Sequence, residues 1–307
     1  MIGLNLSPFG GKRSFGTSSP SLPLFLDTVD AYSAHSIVKK LRTAYSGNCL
    51  TIRRSSDNTE QSFGFVANQL DQSSILAFCG AGNGFIAKVY NQTAVGSSLD
   101  YVQTTWLQQP QLVVSGAINT LNGKPEALCN GTSTLTIPTS TALFNFMHNG
   151  ADATIFSTSR YGNVANPLDW YGLYGNNSTT GAEVCSTAWY DDLSRSDALV
   201  VQITPGSFVA YSLSQNVITP NQQTIITIFL DANNATYANR TESYINGGAA
   251  LKPNTYTAVA SVSDASQNMM WGGVGTTSYG RLVGGIQEKI IFDSNKLSLK
   301  SSYLALW

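Results

Sequence analysis

Cleaving a glycosidic bond takes two carboxyl groups facing one cleft, ~5 Å apart for retention and ~6.5 to 9.5 Å apart for inversion. In this sequence the acids best placed for that work are Glu183, Asp191 and Asp192, because Trp170, Trp189 and Tyr190 stand close by in the chain and offer rings for stacking on sugar faces. The plainer reading of Asp191–Asp192, a solvated turn between strands, is the one adopted. A Ser-His-Asp mechanism would have to use His35 or His148, and no GxSxG elbow partners either. His148, within Phe146-Met147-His148-Asn149-Gly150, reads as a strand-end residue whose ring bonds a backbone carbonyl, and His35 as a polar-face residue of a helix.

Metal and phosphate chemistry find weaker footing. The four cysteines, Cys49, Cys79, Cys129 and Cys185, lie far apart without a CxxC, which excludes a zinc-ribbon site and marks them as reduced core thiols. No cofactor is expected. A structural calcium would draw on Asp231, Asn233, Asn234 and the backbone near Gly247, although no DxDxDG run exists. The stretch Gly80-Ala81-Gly82-Asn83-Gly84 lacks the Lys-Ser/Thr ending of a phosphate loop and reads as turn geometry. Trp170, Tyr171 and Tyr174 fall in Asp169 to Asn177, read as a surface loop because burying its backbone would demand partners. With Trp189 and Tyr190 they form the expected contact surface for a glycan or a neighbouring subunit.

The elements that must position these residues are mostly strands. Short apolar or alternating runs occur at Leu50–Arg53, Ala153–Phe156, Ala198–Ile203, Phe208–Tyr211, Thr224–Leu230, Tyr256–Val262 and Ile286–Phe292, separated by turns such as Thr204-Pro205-Gly206 and Asn246-Gly247-Gly248. Three helices are expected. The first covers about 28 to 43, from Asp27 or Asp30 as cap and apolar Ala31, Ala34, Ile37, Val38 and Leu41; the second runs from Asp71 to Gly80; the third spans Ser298 to Trp307. Many strands without strand-helix alternation predict a mainly β, antiparallel jelly-roll sandwich with a few short helices. Residues 1–24, rich in Gly, Ser and Pro, read as an extended N-terminal arm whose Leu4, Phe9, Phe15 and Leu22 would anchor in a partner.

The chain has 307 residues, 42% hydrophobic and 10% aromatic, enough for a large core. Charged residues are only 11%, and 17 basic against 18 acidic side chains leave a net charge of -1. Such a surface has no counterion-release term to offer nucleic acid and no polybasic patch for a membrane, so the expected partners are neutral. No apolar run approaches the ~20 residues of a membrane span, and Met1 to Pro23 lacks the pattern of a Sec signal.

Three separated blocks carry a resemblance. Leu121 to Phe156, with Asn122-Gly123-Lys124-Pro125 and Leu135-Thr136-Ile137, resembles the opening of concanavalin A-like, laminin-G-like jelly rolls. Gln222 to Asp231 with Tyr244-Ile245-Asn246-Gly247, and Gly285 to Asp293 followed by Lys296-Leu297-Ser298, resemble their middle and closing strands. Upstream, Leu41 to Gly47, Ile52 to Asp57 and Phe78 to Phe85 resemble the segment that opens the catalytic domain of alpha-L-arabinofuranosidase B, a segment that also precedes jelly rolls in tailed-bacteriophage virion proteins. The domains implied are an arm at 1–24, an arabinofuranosidase-B-like segment at 25–111 packed on the sandwich, and a jelly roll at 112–307.

Where that enzyme family has a "WYDQSGNG" turn this chain reads Val89-Tyr90-Asn91-Gln92-Thr93-Ala94-Val95-Gly96, and its adjacent cysteines are missing. The resemblance together with these departures implies a non-enzymatic virion structural protein of a tailed bacteriophage: a head fibre, capsid decoration or tail-associated adhesin, assembled in the host cytoplasm. Its expected partners are capsid or tail proteins, further copies of itself and a host-surface glycan. The alternatives are a glycoside hydrolase related to arabinofuranosidase and a surface carbohydrate-binding lectin.

Overall fold

A computed structural model describes residues 23–162, 170–176, 185–190, 198–203, 210–214, 216–252, 260–274 and 281–307. The expected anchor residues Leu4, Phe9, Phe15 and Leu22 lie outside them, as do Glu183, Asp191 and Asp192. In chain order the first strands are β1 (Ser33–Ser36), β2 (Leu50–Arg54), β3 (Glu60–Phe63), β4 (Phe65–Val66) and β5 (Gln69–Leu70). After helix α1 (Gln72–Cys79) come β6 (Gly84–Val89), β7 (Tyr101–Val102), β8 (Gln111–Val114), β9 (Ala117–Ile118), β10 (Thr120–Leu121), β11 (Lys124–Pro125), β12 (Ala127–Asn130) and β13 (Leu135–Thr136). The longer strands follow: β14 (Ala153–Tyr161), β15 (Trp170–Gly175), β16 (Cys185–Tyr190), β17 (Ala198–Ile203), β18 (Ala210–Ser214) and β19 (Gln223–Leu230). The chain closes with β20 (Thr241–Ile245), β21 (Met270–Trp271), β22 (Val283–Phe292) and α2 (Lys300–Leu304).

All the strand pairs are antiparallel, and two ladders emerge from them. One runs β20–β19–β14–β22, with β1 and β12 in tandem along the far edge of β22. The other runs β18–β17–β16–β15–β21–β13–β7–β6. β8 joins them by pairing with both β12 and β6. Ile155, Ile228 and Ile291 from the first ladder share one buried cluster with Leu135, Leu173, Val201 and Trp271 from the second, so the ladders pack face to face. The mainly β, antiparallel sandwich is therefore observed. Strands from before and after residue 111 hydrogen-bond in the same sheet.

The central strands are buried on both faces, which explains their nearly continuous apolar runs. In β22, Ile291 faces the opposite ladder while Ile290 and Phe292 pack with Leu26, Ala31, Ala34, Leu41, Phe156 and Tyr303 under the N-terminal segment and α2. That alternation is the period of two expected of a strand. A register shift between Thr158 and Ser159 skips Gln287, returning Ile286 to the side of Lys289 and Ile291.

Two expected helices are present. Asp71 caps α1 by accepting from the Ser74 N–H at 3.1 Å, and Gly80 ends it at φ 57. At the C-terminus, the α-helical turn covers only Lys300–Leu304 of the expected stretch, and Tyr303 is buried. The expected helix over 28–43 is not formed. Ser33–Ser36 is a strand paired to β22, and the Asp27 carboxylate accepts from the Leu24 and Thr43 N–H groups at 2.7 and 2.6 Å, tying a loop. The apolar spacing misled because its members divide between two cores: Ala31, Ala34 and Leu41 enter one, Ile37 and Val38 the other. Asn91 and Gln92, in the altered turn, hold this segment by accepting from the Ala34 and Leu41 N–H groups at 2.9 and 2.8 Å.

The stretch from Trp170 to Gly175 is strand β15, not a surface loop, because β16 and β21 supply the backbone partners a loop would have lacked. No described helix is long and apolar enough to cross a membrane.

Candidate functional site

Among the described residues, two grooves adjoin a short 3-10 turn, Trp106–Gln108. Side-chain amides tie this turn down. Gln109 Nε2 donates to the Gln103 carbonyl at 2.9 Å, Gln103 Nε2 to the Thr134 carbonyl at 2.9 Å, and the Thr134 N–H to the Gln108 carbonyl at 2.9 Å. The result is a fixed ridge that holds Trp106 59% and Leu107 64% exposed. Large apolar side chains left in water on an anchored turn are a feature of binding surfaces.

A groove of about 690 Å³ lies along one side of the ridge, lined by Arg53, Asn58, Phe85, Gln111, Asn130, Arg160 and Asn221 among others. A smaller one of about 360 Å³ lies beside Gln103, Gln108, Thr134, Thr136 and Arg281. Arg53, on β2, is stacked 4.7 Å from the Phe85 ring and 5.8 Å from the Trp106 ring. Burial lowers its pKa, and the charge of Glu60 works in the opposite direction. Arg160 is held by Glu126 through two bonds of 2.8 and 3.0 Å. Gly285 makes room for that carboxylate, since a Cβ there would come 2.0 Å from Glu126 Oε1. Cys129 also lines the groove, but burial pushes its pKa up to about 12, so it is a thiol and no nucleophile.

Behind the ridge the sandwich interior contains a polar cluster. Lys289 is fully buried, hydrogen-bonded to the Tyr101 hydroxyl, with its ammonium 4.5, 4.9 and 5.7 Å from the rings of Tyr101, Tyr174 and Trp271. His35 stands opposite Lys289 in the β1–β22 register and its Nε2 meets the Leu99 carbonyl at 2.8 Å. It is therefore no polar-face helix residue. Burial, and then the Lys289 charge, lower its pKa to about 3, so it is neutral at physiological pH and inaccessible as a base. His148 ends the 3-10 turn Asn145–Met147 and not a strand, but it is buried and its Nδ1 meets the Ser261 carbonyl at 3.0 Å, the ring-to-carbonyl bond read from sequence.

Of the other expected site residues, Trp170 and Tyr171 on β15 stand opposite Tyr190 and Trp189 on β16 in register. Tyr174 is fully buried over Lys289. Cys49, Cys79 and Cys129 are free and buried, whereas the Cys185 side chain falls outside the described residues. At the expected calcium position, Asp231 Oδ2 accepts from Asn234 Nδ2 at 2.8 Å and Asn234 Oδ1 from the Thr236 N–H at 3.0 Å. Desolvation and Asp231 raise the pKa of Asp152. The described residues contain no group of three or more His, Cys, Asp or Glu side chains arranged for a metal ion. Sequence reading missed Arg53, Trp106, Gln103 and Gln109; two adjacent arginines after a strand run and a glutamine-rich stretch around a tryptophan were the available signals.

Residues 28–137, a little over a third of the chain, match the family model "Alpha-L-arabinofuranosidase B, catalytic". A search of curated protein sequences returns no match. Among solved structures, an arabinofuranosidase complexed with arabinofuranosyl-alpha-1,2-xylobiose is similar at TM-score 0.64 and 14% identity, covering 90% of this chain and 61% of that one. A mutant GH54 α-L-arabinofuranosidase soaked with 4-nitrophenyl α-L-arabinofuranoside is similar at TM-score 0.60 and 15% identity, covering 90% and 62%. A third, soaked with a cyclic sulfate inhibitor, gives TM-score 0.57 at 13% identity, with the same coverage of 90% and 62%. This chain thus spans less than two thirds of the length of those proteins. These findings overturn the expectation of a non-enzymatic virion protein, whether head fibre, capsid decoration or tail adhesin, and favour its glycoside hydrolase alternative. The chain has the fold of these arabinofuranosidases, and its segment from β1 to β13 matches the family of the arabinofuranosidase B catalytic domain.

Proposed function

We propose that this chain is a glycoside hydrolase of the arabinofuranosidase type, acting on a glycan that carries arabinofuranosyl groups. The match to the catalytic-domain family over residues 28–137 carries this reading, since that segment also supplies Arg53, Asn58, Phe85, Trp106 and Gln111 to the larger groove. The fold similarity over 90% of the chain supports it. A concave surface with a fixed, exposed tryptophan and convergent amides is suited to saccharide recognition: the ring covers an apolar sugar face and the amides pair with hydroxyls.

Hydrolysis requires a pair of carboxyl groups, and the acids nearest in the chain to the aromatic residues of β15 and β16 are Glu183, Asp191 and Asp192.

Release of 4-nitrophenol from 4-nitrophenyl α-L-arabinofuranoside, and of arabinose from an arabinofuranosyl-xylobiose, tests the proposal. Turnover by the full chain is expected, and among Glu183→Gln, Asp191→Asn and Asp192→Asn a change at a catalytic acid should cut it at least ~10²-fold. A folded chain that turns over neither substrate would overturn the hydrolase reading.

A further inference from the structure

The larger groove contains a cation with no carboxylate in direct contact, Glu60 opposite it in the β2–β3 register acting only from a distance. Arg53 is only 5% exposed, yet its Nε donates to Gln109 Oε1 at 2.7 Å, its Nη1 to Asn58 Oδ1 at 2.6 Å and its Nη2 to the Trp106 carbonyl at 3.5 Å, all neutral acceptors. Other arginines are paired: Arg54 with Asp57 at 2.7 Å, Arg160 with Glu126 at 2.8 Å, and Arg42 with Asp30. No described carboxylate comes within 4.0 Å of Arg53. A largely buried guanidinium whose direct partners are all neutral keeps part of its desolvation cost, which neutral hydrogen bonds and the distant Glu60 charge offset incompletely. Its five N–H donors form a planar fork suited to a carboxylate, and the three bonds named leave two of them open.

The smaller groove repeats the pattern across the ridge. Arg281 lines it and donates from Nη1 to the Thr132 carbonyl, while its Nε is buried with no hydrogen-bond partner in the described structure. Burial lowers the pKa of this arginine as well. Both sides of the Trp106–Gln108 ridge thus present a cation short of an anion, and no acidic side chain is among the residues lining either groove.

We propose that this cleft is a binding site for an acidic saccharide, with the carboxylate of a uronic acid on Arg53 and the sugar face on the exposed ring of Trp106. The bond is a charge-assisted, forked pair between guanidinium and carboxylate. Asn58, whose Oδ1 accepts from Arg53, lines the same groove. About 690 Å³ is room for more than one sugar unit, so a uronic-acid residue within a chain fits better than a free small anion. The inference goes beyond the hydrolase reading and needs no turnover. Where both hold, the substrate is an arabinofuranosyl glycan that also carries uronic acids.

Calorimetric titration of the full chain with an oligogalacturonate, with the same oligosaccharide after its carboxyl groups are reduced to alcohols, and with inorganic phosphate separates the possibilities. The oligogalacturonate should bind, and the reduced form and phosphate should each bind at least about tenfold more weakly, the loss expected for one hydrogen-bonded charge. Arg53→Gln and Trp106→Ala should each weaken oligogalacturonate binding about tenfold or more. Trp106 is mostly exposed, so its variant tests the site even if Arg53→Gln fails to fold. Three results overturn the proposal: equal binding of the reduced oligosaccharide, saturation by phosphate at the same affinity, or unchanged affinity in Trp106→Ala. Because binding is read without turnover, its failure is distinguishable from failure of the hydrolase assay.

Discussion

Among the described residues, Lys289 and Arg53 each lie against more than one aromatic ring, and their surroundings differ. Lys289 lies between the two ladders, fully buried, with Tyr101, Tyr174 and Trp271 around it. Arg53 is stacked on Phe85 and Trp106, but at the wall of an open groove. The attraction of a cation to a ring face is the same in both. What separates them is access: the core site can only hold the two ladders in register, whereas the groove site leaves donors for a molecule from outside. The charge in the core also acts on its neighbour, since Lys289 helps keep His35 neutral.

The largest effect expected of breaking this contrast is on stability. Lys289→Ala should lower unfolding free energy by about 2 to 4 kcal/mol through the cavity and lost contacts, while the volume-conserving Lys289→Met should cost less than about 1.5 kcal/mol. Denaturant midpoints measure both. If Lys289→Ala proves no more destabilising than Arg53→Ala, the division into a structural and a ligand-facing cation is wrong.

Acid should sharpen the comparison next. His35 has a folded pKa of about 3, below the 6.5 of an ordinary histidine, so the unfolded chain takes up its proton first. The stability this neutral His35 contributes is complete above about pH 6.5 and is lost as pH falls toward 3, by up to about 1.4 kcal/mol per unit. In Lys289→Met, where the neighbouring positive charge is gone, the folded pKa rises and the loss should level off at a higher pH. Levelling at the same pH as the parent would mean that burial alone keeps His35 neutral.

Smaller changes belong to the groove. Arg53→Ala should alter stability by no more than about 1 kcal/mol, because lost neutral hydrogen bonds are offset by removal of a buried charge with no carboxylate in contact. Trp106→Ala should stay within about 0.5 kcal/mol of the parent in denaturant midpoints, as its ring is mostly in water. A larger loss would make the ridge part of the scaffold. Thiol labelling gives the mildest check: Cys49, Cys79 and Cys129 should resist modification in the native protein and react once it is denatured, since burial raises the pKa of each.

Much of the architecture was legible in the chain. The run Ala198 to Ile203 is β17 with the same ends, and Asp71 with Gly80 bracketed α1, because strand runs and helix caps are local patterns that need no distant partner. The resemblance of Leu41 to Phe85 to the arabinofuranosidase B domain was likewise readable, and the family match covers that stretch. The site was less so. Arg53, Trp106 and Gln109 are more than fifty positions apart at their extremes, and only the antiparallel register of β2 with β6 and of β6 with β8 brings them to one groove.

By its own pattern the sequence settled that this is a mainly β, antiparallel protein with short helices. Tertiary structure alone decided which face of each element is covered. Ala31 to Leu41 has the spacing of a helix, yet the free edge of β22 offers a ladder of backbone partners and cores on both sides. Gln287, Glu288 and Lys289 look like solvent-facing positions within a strand, yet all three are buried, because packing on each face of β22 leaves no side open to water. Burial is a property of what lies across from a residue, and no local pattern encodes the other side of a sandwich.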